Sequence, residues 1–110
     1  MWSLGGKSDN LNRVKQAIEA VAQGQATVID VRTPEEFATG HALGAINWDL
    51  ARMSRGEIPD IPDDTRIYLY CRSGGRSRVA KKILEGAGYR QVVNLGGISD
   101  WRAAGGEVEK

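Results

Sequence analysis

The chemically distinctive stretch of this 110-residue chain surrounds its single cysteine, Cys71. Cys71 follows an apolar run and precedes two arginines, Arg72 and Arg76, which flank the adjacent glycines Gly74 and Gly75. Adjacent glycines let a backbone curl until several N–H groups point into one concavity, which suits an anion. A helix that begins near Gly75 adds the positive end of its dipole, and the arginines add full charges.

This setting predicts an activated thiol at Cys71. Nearby cations and helix N-termini can lower a cysteine pKa from about 8.5 to roughly 3.5–7.5, so the thiolate forms at neutral pH. A thiolate among amide groups is a nucleophile, and the same amides can bind an anionic substrate and stabilise its leaving group. The alternative is a small buried thiol at a strand end, a common place for cysteine. Two arginines and two glycines within five residues favour the reactive thiol.

A loop of this kind needs a strand before it and a helix after it, and the sequence predicts both. The strand covers Arg66 to Tyr70, and the helix covers Gly75 to Glu85. The helix has one predicted apolar face, formed by Val79, Ala80, Ile83, Leu84 and Ala87. In open α/β sheets, ligands bind beyond the carboxyl ends of the strands, which is where Cys71 falls.

The rest of the chain alternates between helical and extended patterns. Further helices are predicted from Asn10 (capped by Asp9 or Asn10), over Pro34 to Thr39 (with a Thr33–Glu36 capping box) and over Ile98 to Ala103. Further strands are predicted over Thr27 to Val31, Ala45 to Trp48 and Gln91 to Leu95, and residues 49–64 form a surface connection with one helical turn. Short joints between alternating elements indicate an α/β fold with a mostly parallel sheet.

Length and composition predict one compact domain. With 41% hydrophobic and 26% charged residues, we expect a flexible leader over residues 1–8 and a domain over 9–110. Fifteen basic and fourteen acidic residues give a net charge of +1, which provides no overall field for nucleic acid or an anionic membrane. No apolar run reaches the roughly 20 residues of a membrane span. We expect a cytoplasmic monomer, although a periplasmic protein that has lost its signal peptide would look the same.

Three separated motifs resemble the single-domain rhodaneses, the thiosulfate:cyanide sulfurtransferase family. They read IDVRTPEEFATGHALGAIN, YCRSGGRS and VNLGGISDW, and they occur in the family's order between about Ala26 and Trp101. The resemblance implies a rhodanese-like α/β domain, with a central, mostly parallel sheet of about five strands and helices on both faces. It also implies a six-residue active-site loop, Cys71 to Arg76.

The resemblance further implies an activity. Cys71 would take the outer sulfur of a donor such as thiosulfate, release sulfite, and carry the sulfur as a persulfide. The persulfide would then pass its sulfur to cyanide or another thiophilic acceptor, such as a thiol or a thioredoxin-like protein. The donor anion would be held by the rest of the loop, Arg72, Ser73, Gly74, Gly75 and Arg76. No metal or organic cofactor is needed for these steps.

Three polar residues outside the loop have two readings each. Asp30 and Arg32 end the first predicted core strand, at the sheet edge where Cys71 lies. Asp30 either supports the loop from behind or pairs with a nearby arginine or amide, and Arg32 shares the supporting role or pairs with Glu36. His41, the only histidine, is either a catalytic base or a framework residue; GHALGAIN matches a framework element of rhodaneses, which favours the framework.

The helix after the loop carries further basic residues. Arg78, Lys81 and Lys82 extend the positive charge of the loop along it. A solvated helix face is the simpler interpretation, and a contact for an acidic partner is the alternative.

Two other functions are compatible with this fold. A cysteine phosphatase or arsenate reductase would use a similar loop, but such phosphatases place arginine after five intervening residues. Here Arg76 follows Cys71 after four, and Ser77 occupies the phosphatase position. A non-catalytic rhodanese-like binding module is the second alternative, and such modules typically lack the cysteine that is present here.

Overall fold

The computed structural model describes the backbone of residues 5–110 and the side chains of residues 9–110. The strands are β1 (Thr27–Asp30), β2 (His41–Ala42), β3 (Ile46–Asn47), β4 (Arg66–Cys71), β5 (Gln91–Gly97) and β6 (Val108–Glu109). The helices are α1 (Gly5–Ala22), α2 (Pro34–Ala38), α3 (Leu50–Ser54), α4 (Gly75–Gly86) and α5 (Ile98–Ala103). All four predicted strands and all four predicted helices form, and α3 is the helical turn expected in the 49–64 connection.

Four strands make one parallel sheet in the order β3-β1-β4-β5. The sheet therefore contains four strands rather than about five, within the part of the chain that the structure describes. β2 does not join it, because its two residues pair antiparallel with β6 near the end of the chain. The short strands β2 and β6 were not predicted, since two residues carry no readable alternation.

Side chains of β4 alternate between two apolar layers, one on each face of the sheet. Ile67, Leu69 and Cys71 point to the layer that α3 and α4 cover. Tyr68 and Tyr70 point to the layer that α1 and α5 cover. Helices therefore flank both faces, as expected, and the side chain of Cys71 lies on the α4 side.

Three details of the helices differ from the sequence predictions. α1 begins at Gly5, so residues 5–8, assigned to the leader, are helical; residues 1–4 lie outside the described residues. Neither Asp9 nor Asn10 caps α1, because both lie inside the helix, where the Asn10 amide donates to the carbonyl of Leu95 on β5. Val79 and Ala87 are exposed, because the buried side of α4 consists of Ser77, Ala80 and Leu84.

The connection after β1 forms as the sequence predicts. Thr33 Oγ1 accepts the N–H of Glu36, and Glu36 Oε1 accepts the N–H of Thr33, which completes the capping box of α2. This cap fixes the position of Glu36 near the carboxyl end of the sheet. Among the described helices, none combines the length and apolar character needed to cross a bilayer.

Candidate active site

Cys71 is the last residue of β4 and lies where the sheet meets the N-terminus of α4. The residue is 1% exposed, and its sulfur is enclosed by the turn that follows it. The N–H of Gly74 donates to Sγ at 2.9 Å, and the Ser77 hydroxyl lies 3.5 Å from Sγ. The loop thus surrounds the sulfur with hydrogen-bond donors, as the two adjacent glycines predicted.

Hydrogen bonding makes the thiolate of Cys71 easier to form. Burial by itself raises the pKa of this thiol. The Ser77 hydroxyl and the backbone N–H groups of Ser77, Ser73 and Gly74 lower it by more, so the net pKa lies below its ordinary value. The arrangement can therefore present a partly desolvated thiolate to an electrophile.

Close packing against β5 fixes the shape of the loop. Gly74 has a positive φ of 98°, a conformation that favours glycine. A methyl group on Gly97 would overlap the carbonyl oxygen of Arg72, so only glycine lets β5 approach the loop this closely. Asn94 secures the contact by donating its amide to the Gly74 carbonyl at 3.2 Å.

A hydrogen-bonded group beside the sulfur was not identified from the sequence. Ser77 is fully buried, and its Oγ lies 2.7 Å from Oδ1 of Asn94, which also accepts the N–H of Gly96. Ser77 had been noted only as the residue at the phosphatase arginine position. The sequence signal for Ser77 is its position in the first turn of the helix that follows the loop, and Asn94 lies inside the VNLGGISDW motif.

Arg76 is not a free cation. Its guanidinium forms a bidentate pair with Glu36, with distances of 2.6 Å from Nη1 to Oε1 and 2.9 Å from Nη2 to Oε2. The hydrogen bonds from Arg76 lower the pKa of Glu36 to about 2. Glu36 is therefore ionised at neutral pH, and its negative charge partly neutralises the positive charge of Arg76. The alternative in which Arg32 pairs with Glu36 is wrong, because Arg32 pairs with Asp30.

The remaining loop residues face outward. Arg72, Ser73 and Gly75 are exposed, and Arg72 takes part in no ion pair among the described residues. Arg72 is therefore the loop cation with its charge uncompensated. The structure brings the whole predicted set, Cys71 to Arg76, into one turn around the sulfur.

Asp30 and Arg32 form a buried pair beneath the site. Arg32 Nη2 lies 2.8 Å from Asp30 Oδ2, and it also donates to the Gly40 carbonyl at 2.7 Å. Tyr70 donates its hydroxyl to Asp30 at 2.6 Å and accepts the N–H of Ala42. Among the described contacts, the Asp30 carboxylate forms no hydrogen bond with residues 71–76. These contacts match the structural reading of Asp30, a strand-end carboxylate that pairs with a nearby arginine.

His41 lies in the framework rather than beside the sulfur. Its ring stacks on Phe37 with centroids 3.6 Å apart, and its Nδ1 lies 2.9 Å from the Phe37 carbonyl. Nε2 is 3.4 Å from Glu109 Oε2 on β6. Both ring nitrogens thus face framework groups, which agrees with the framework reading.

Comparison with known proteins indicates the family of this chain. The family model described as "Rhodanese-like domain" matches residues 13–104. Thiosulfate sulfurtransferase PspE from Escherichia coli is 40% identical over 73 residues, which are 66% of this chain and 70% of that protein. "Adenylyltransferase and sulfurtransferase uba4" from Ogataea parapolymorpha is 35% identical over 81 residues, 73% of this chain but only 21% of that longer protein.

A solved structure extends the comparison to three dimensions. The structure described as "rhodanese with anions from E. coli" is 38% identical, with a TM-score of 0.58, covering 68% of this chain and 89% of that one. The α/β architecture, the loop around Cys71 and the family match over residues 13–104 agree. The chain belongs to the rhodanese-like domain family, as the three sequence motifs had suggested.

Proposed function

We propose that this protein is a sulfurtransferase that moves sulfane sulfur from thiosulfate, or a similar donor, to cyanide or a thiol through a Cys71 persulfide. One observation carries the proposal: Cys71 Sγ accepts the N–H of Gly74 at 2.9 Å inside a loop that lowers the pKa of the thiol. The existence of relatives named as sulfurtransferases supports sulfur transfer in general. Thiosulfate and cyanide are the specific part of the proposal.

In the first step, the Cys71 thiolate attacks the outer sulfur of thiosulfate. A new S–S bond forms to Sγ, the S–S bond of thiosulfate breaks, and sulfite leaves with the bonding electron pair. The product is Cys71–S–S⁻, and no metal, oxidant or reductant takes part. Because the pKa of Cys71 lies below its ordinary value, a larger share of the thiol is ionised at a given pH. The attacking thiolate then needs no general base, which is consistent with the framework position of His41.

The loop has two roles in this step. The exposed cation of Arg72 attracts the anionic donor, while Arg76, already paired with Glu36, adds only part of its charge. The N–H groups that stabilise the thiolate would also stabilise the negative charge of the persulfide. The similar structure described as "rhodanese with anions from E. coli" supports the proposal that this chain binds an anionic donor.

In the second step, an acceptor nucleophile attacks the outer sulfur of the persulfide. The bond between that outer sulfur and Sγ of Cys71 breaks, and Cys71 leaves as a thiolate. Cyanide gives thiocyanate, and a thiolate gives a new persulfide on the acceptor. The hydrogen bonds that lower the pKa of Cys71 also make it a better leaving group.

The test is the intact mass of the protein after brief exposure to thiosulfate. We expect the wild type to gain one sulfur atom, which cyanide removes as thiocyanate. Cys71→Ser should gain none, because an alcohol does not ionise here or carry sulfane sulfur. Absence of any gain in the wild type, with hydrolysis of an aryl phosphate or reduction of arsenate instead, would replace the proposal with oxyanion chemistry.

A further inference from the structure

The exposed side of α4 continues directly from the active-site loop. Gly75, Arg78, Val79 and Lys82 are all exposed, and they lie at helix positions i, i+3, i+4 and i+7. These four residues, called the α4 stripe below, form one ridge about 10 Å long that starts beside the turn around Cys71. A molecule seated on the ridge would have one end at the active-site loop that holds Cys71.

The α4 stripe carries positive charge that the protein does not neutralise. Arg78 and Lys82, like Arg72 in the loop, form no ion pair among the described residues, whereas Lys81 pairs with Glu85. Residues 72–82 contain five basic residues and no acidic one. All fourteen acidic residues share the rest of the chain with the other ten basic ones. The segment that follows the nucleophile is therefore strongly basic in a protein that is nearly neutral overall.

An apolar side chain lies at the centre of this charge. Val79 is 45% exposed, and it is one of only three large apolar residues exposed to this degree in the described part of the chain. It lies on the ridge between Arg78 and Lys82. Small inorganic anions make no use of an exposed valine, whereas a protein surface buries apolar groups at the centre of a charged rim.

We infer that the α4 stripe docks an acidic protein segment that carries a cysteine thiol and takes the sulfane sulfur from Cys71. This inference rests on the proposed function. In the step itself, the acceptor thiolate attacks the outer sulfur of the Cys71 persulfide. The bond between that sulfur and Sγ breaks, leaving a Cys71 thiolate and a persulfide on the acceptor, with charge and atoms conserved. Acidic side chains flanking the thiol would pair with Arg72, Arg78 and Lys82 and speed the encounter.

The test compares two synthetic acceptors on the thiosulfate-treated, full-length protein. One is the peptide Glu-Glu-Gly-Cys-Gly-Glu-Glu, and the other replaces each glutamate with glutamine. The measured quantity is the second-order rate of persulfide discharge by the glutamate peptide divided by the rate for the glutamine peptide. This ratio is compared between protein variants, because the intrinsic reactivities of the two thiols then cancel. We expect Arg78→Glu/Lys82→Glu to lower this ratio about tenfold at low ionic strength, and we expect added salt to reduce the wild-type preference.

The matched control reverses two exposed cations at the opposite edge of the sheet. Arg66 begins β4 and Arg90 precedes β5, so Arg66→Glu/Arg90→Glu makes the same change in net charge far from Cys71. This control should keep the wild-type ratio. An equal fall in both double variants, or no fall in Arg78→Glu/Lys82→Glu, would overturn the docking site.

Two further measurements keep the outcomes distinct. Arg78→Gln/Lys82→Gln makes a smaller charge change at the same exposed positions and should give an intermediate ratio. It replaces Arg78→Glu/Lys82→Glu if that variant folds poorly. Cyanide discharge is measured on every variant. Failure to form thiocyanate in the wild type would refute the proposed function, whereas normal thiocyanate formation with an unchanged peptide ratio would refute the docking site alone.

Discussion

At the scale of single residues, the state of Cys71 depends more on hydrogen bonds than on formal charges. The two arginines of the loop suggested a thiolate stabilised by cations, but Arg76 is bound by Glu36 and Arg72 points to solvent. Burial raises the pKa of Cys71, and the largest effects that lower it come from the Ser77 hydroxyl and the backbone N–H groups, which outweigh burial. Removing a donor should therefore change reactivity more than removing an outward-facing charge.

Ser77→Ala should raise the pKa of Cys71, because it removes the hydroxyl that favours the charged form. A higher pKa leaves less thiolate at neutral pH, so alkylation by iodoacetamide at pH 7 should slow by roughly tenfold, the scale of one hydrogen bond to a charged group. The measurement is the alkylation rate as a function of pH, whose midpoint should move to higher pH. Ser77→Thr keeps the hydroxyl and should stay near the wild type; an unchanged profile for Ser77→Ala would show that the amides suffice.

At the scale of elements, the site is a junction between β4, α4 and β5. β4 delivers Cys71, α4 begins at the end of the loop, and the carboxyl end of β5 presses against the loop at two glycines, Gly96 and Gly97. The register between β4 and β5 is irregular between Leu69 and Cys71, where the strand turns into the loop. The loop therefore has its shape because β5 occupies the space behind it.

Gly97→Ala should displace the loop, because the new methyl group would overlap the Arg72 carbonyl. A displacement of about 1 Å at a reacting group can cost about a hundredfold in rate, so thiocyanate production should fall by about that factor. Gly86→Ala is the matched control, since nothing lies within 4 Å of a methyl group there and alanine suits a helix. Full activity of Gly97→Ala, with a normal circular dichroism spectrum, would mean that the loop tolerates the shift.

At the scale of the whole molecule, a buried polar network connects the four-stranded sheet to the pair formed by β2 and β6. Asp30 accepts hydrogen bonds from Arg32 and from Tyr70, which lies on the adjacent strand. Arg32 donates to the Gly40 carbonyl, and Tyr70 accepts the N–H of Ala42 in β2, which pairs with β6. All three side chains are buried, so losing one partner leaves a charge or a polar group unsatisfied. We therefore expect a substitution in this network to lower the free energy of unfolding strongly and to change the rate of sulfur transfer little.

Asp30→Asn should lower the free energy of unfolding by about 3 kcal/mol or more, because the buried guanidinium of Arg32 loses its counter-charge. Urea denaturation measures this change, and thiocyanate production per folded molecule should stay near the wild-type value. Tyr70→Phe, a milder change that should cost about 1–3 kcal/mol, provides the same comparison if Asp30→Asn does not fold. A loss of activity in the folded variants would instead assign Asp30 to support of the loop.

The sequence by itself determined the parts of this protein that depend on neighbours along the chain. The strands Thr27–Asp30 and Arg66–Cys71 follow from short β-branched or apolar runs, and the capping box of Thr33 and Glu36 follows from a spacing of three residues. The turn around Cys71 follows from its adjacent glycines. These features rest on local conformational preference, which the order of residues specifies directly.

Only the tertiary structure decided which distant groups meet at the site. Glu36 and Arg76 are 40 residues apart, and Ser77 and Asn94 are 17 apart. The residues that pair between β2 and β6 are 66 and 68 positions apart (42 with 108, 41 with 109). Each of these contacts depends on how the elements pack. A charged or polar side chain has several possible partners along the chain, and the packing brings only one of them within reach. The same packing leaves Arg72, Arg78 and Lys82 exposed and without an ion pair among the described residues, so the surface next to the active-site loop is cationic although the chain is nearly neutral overall.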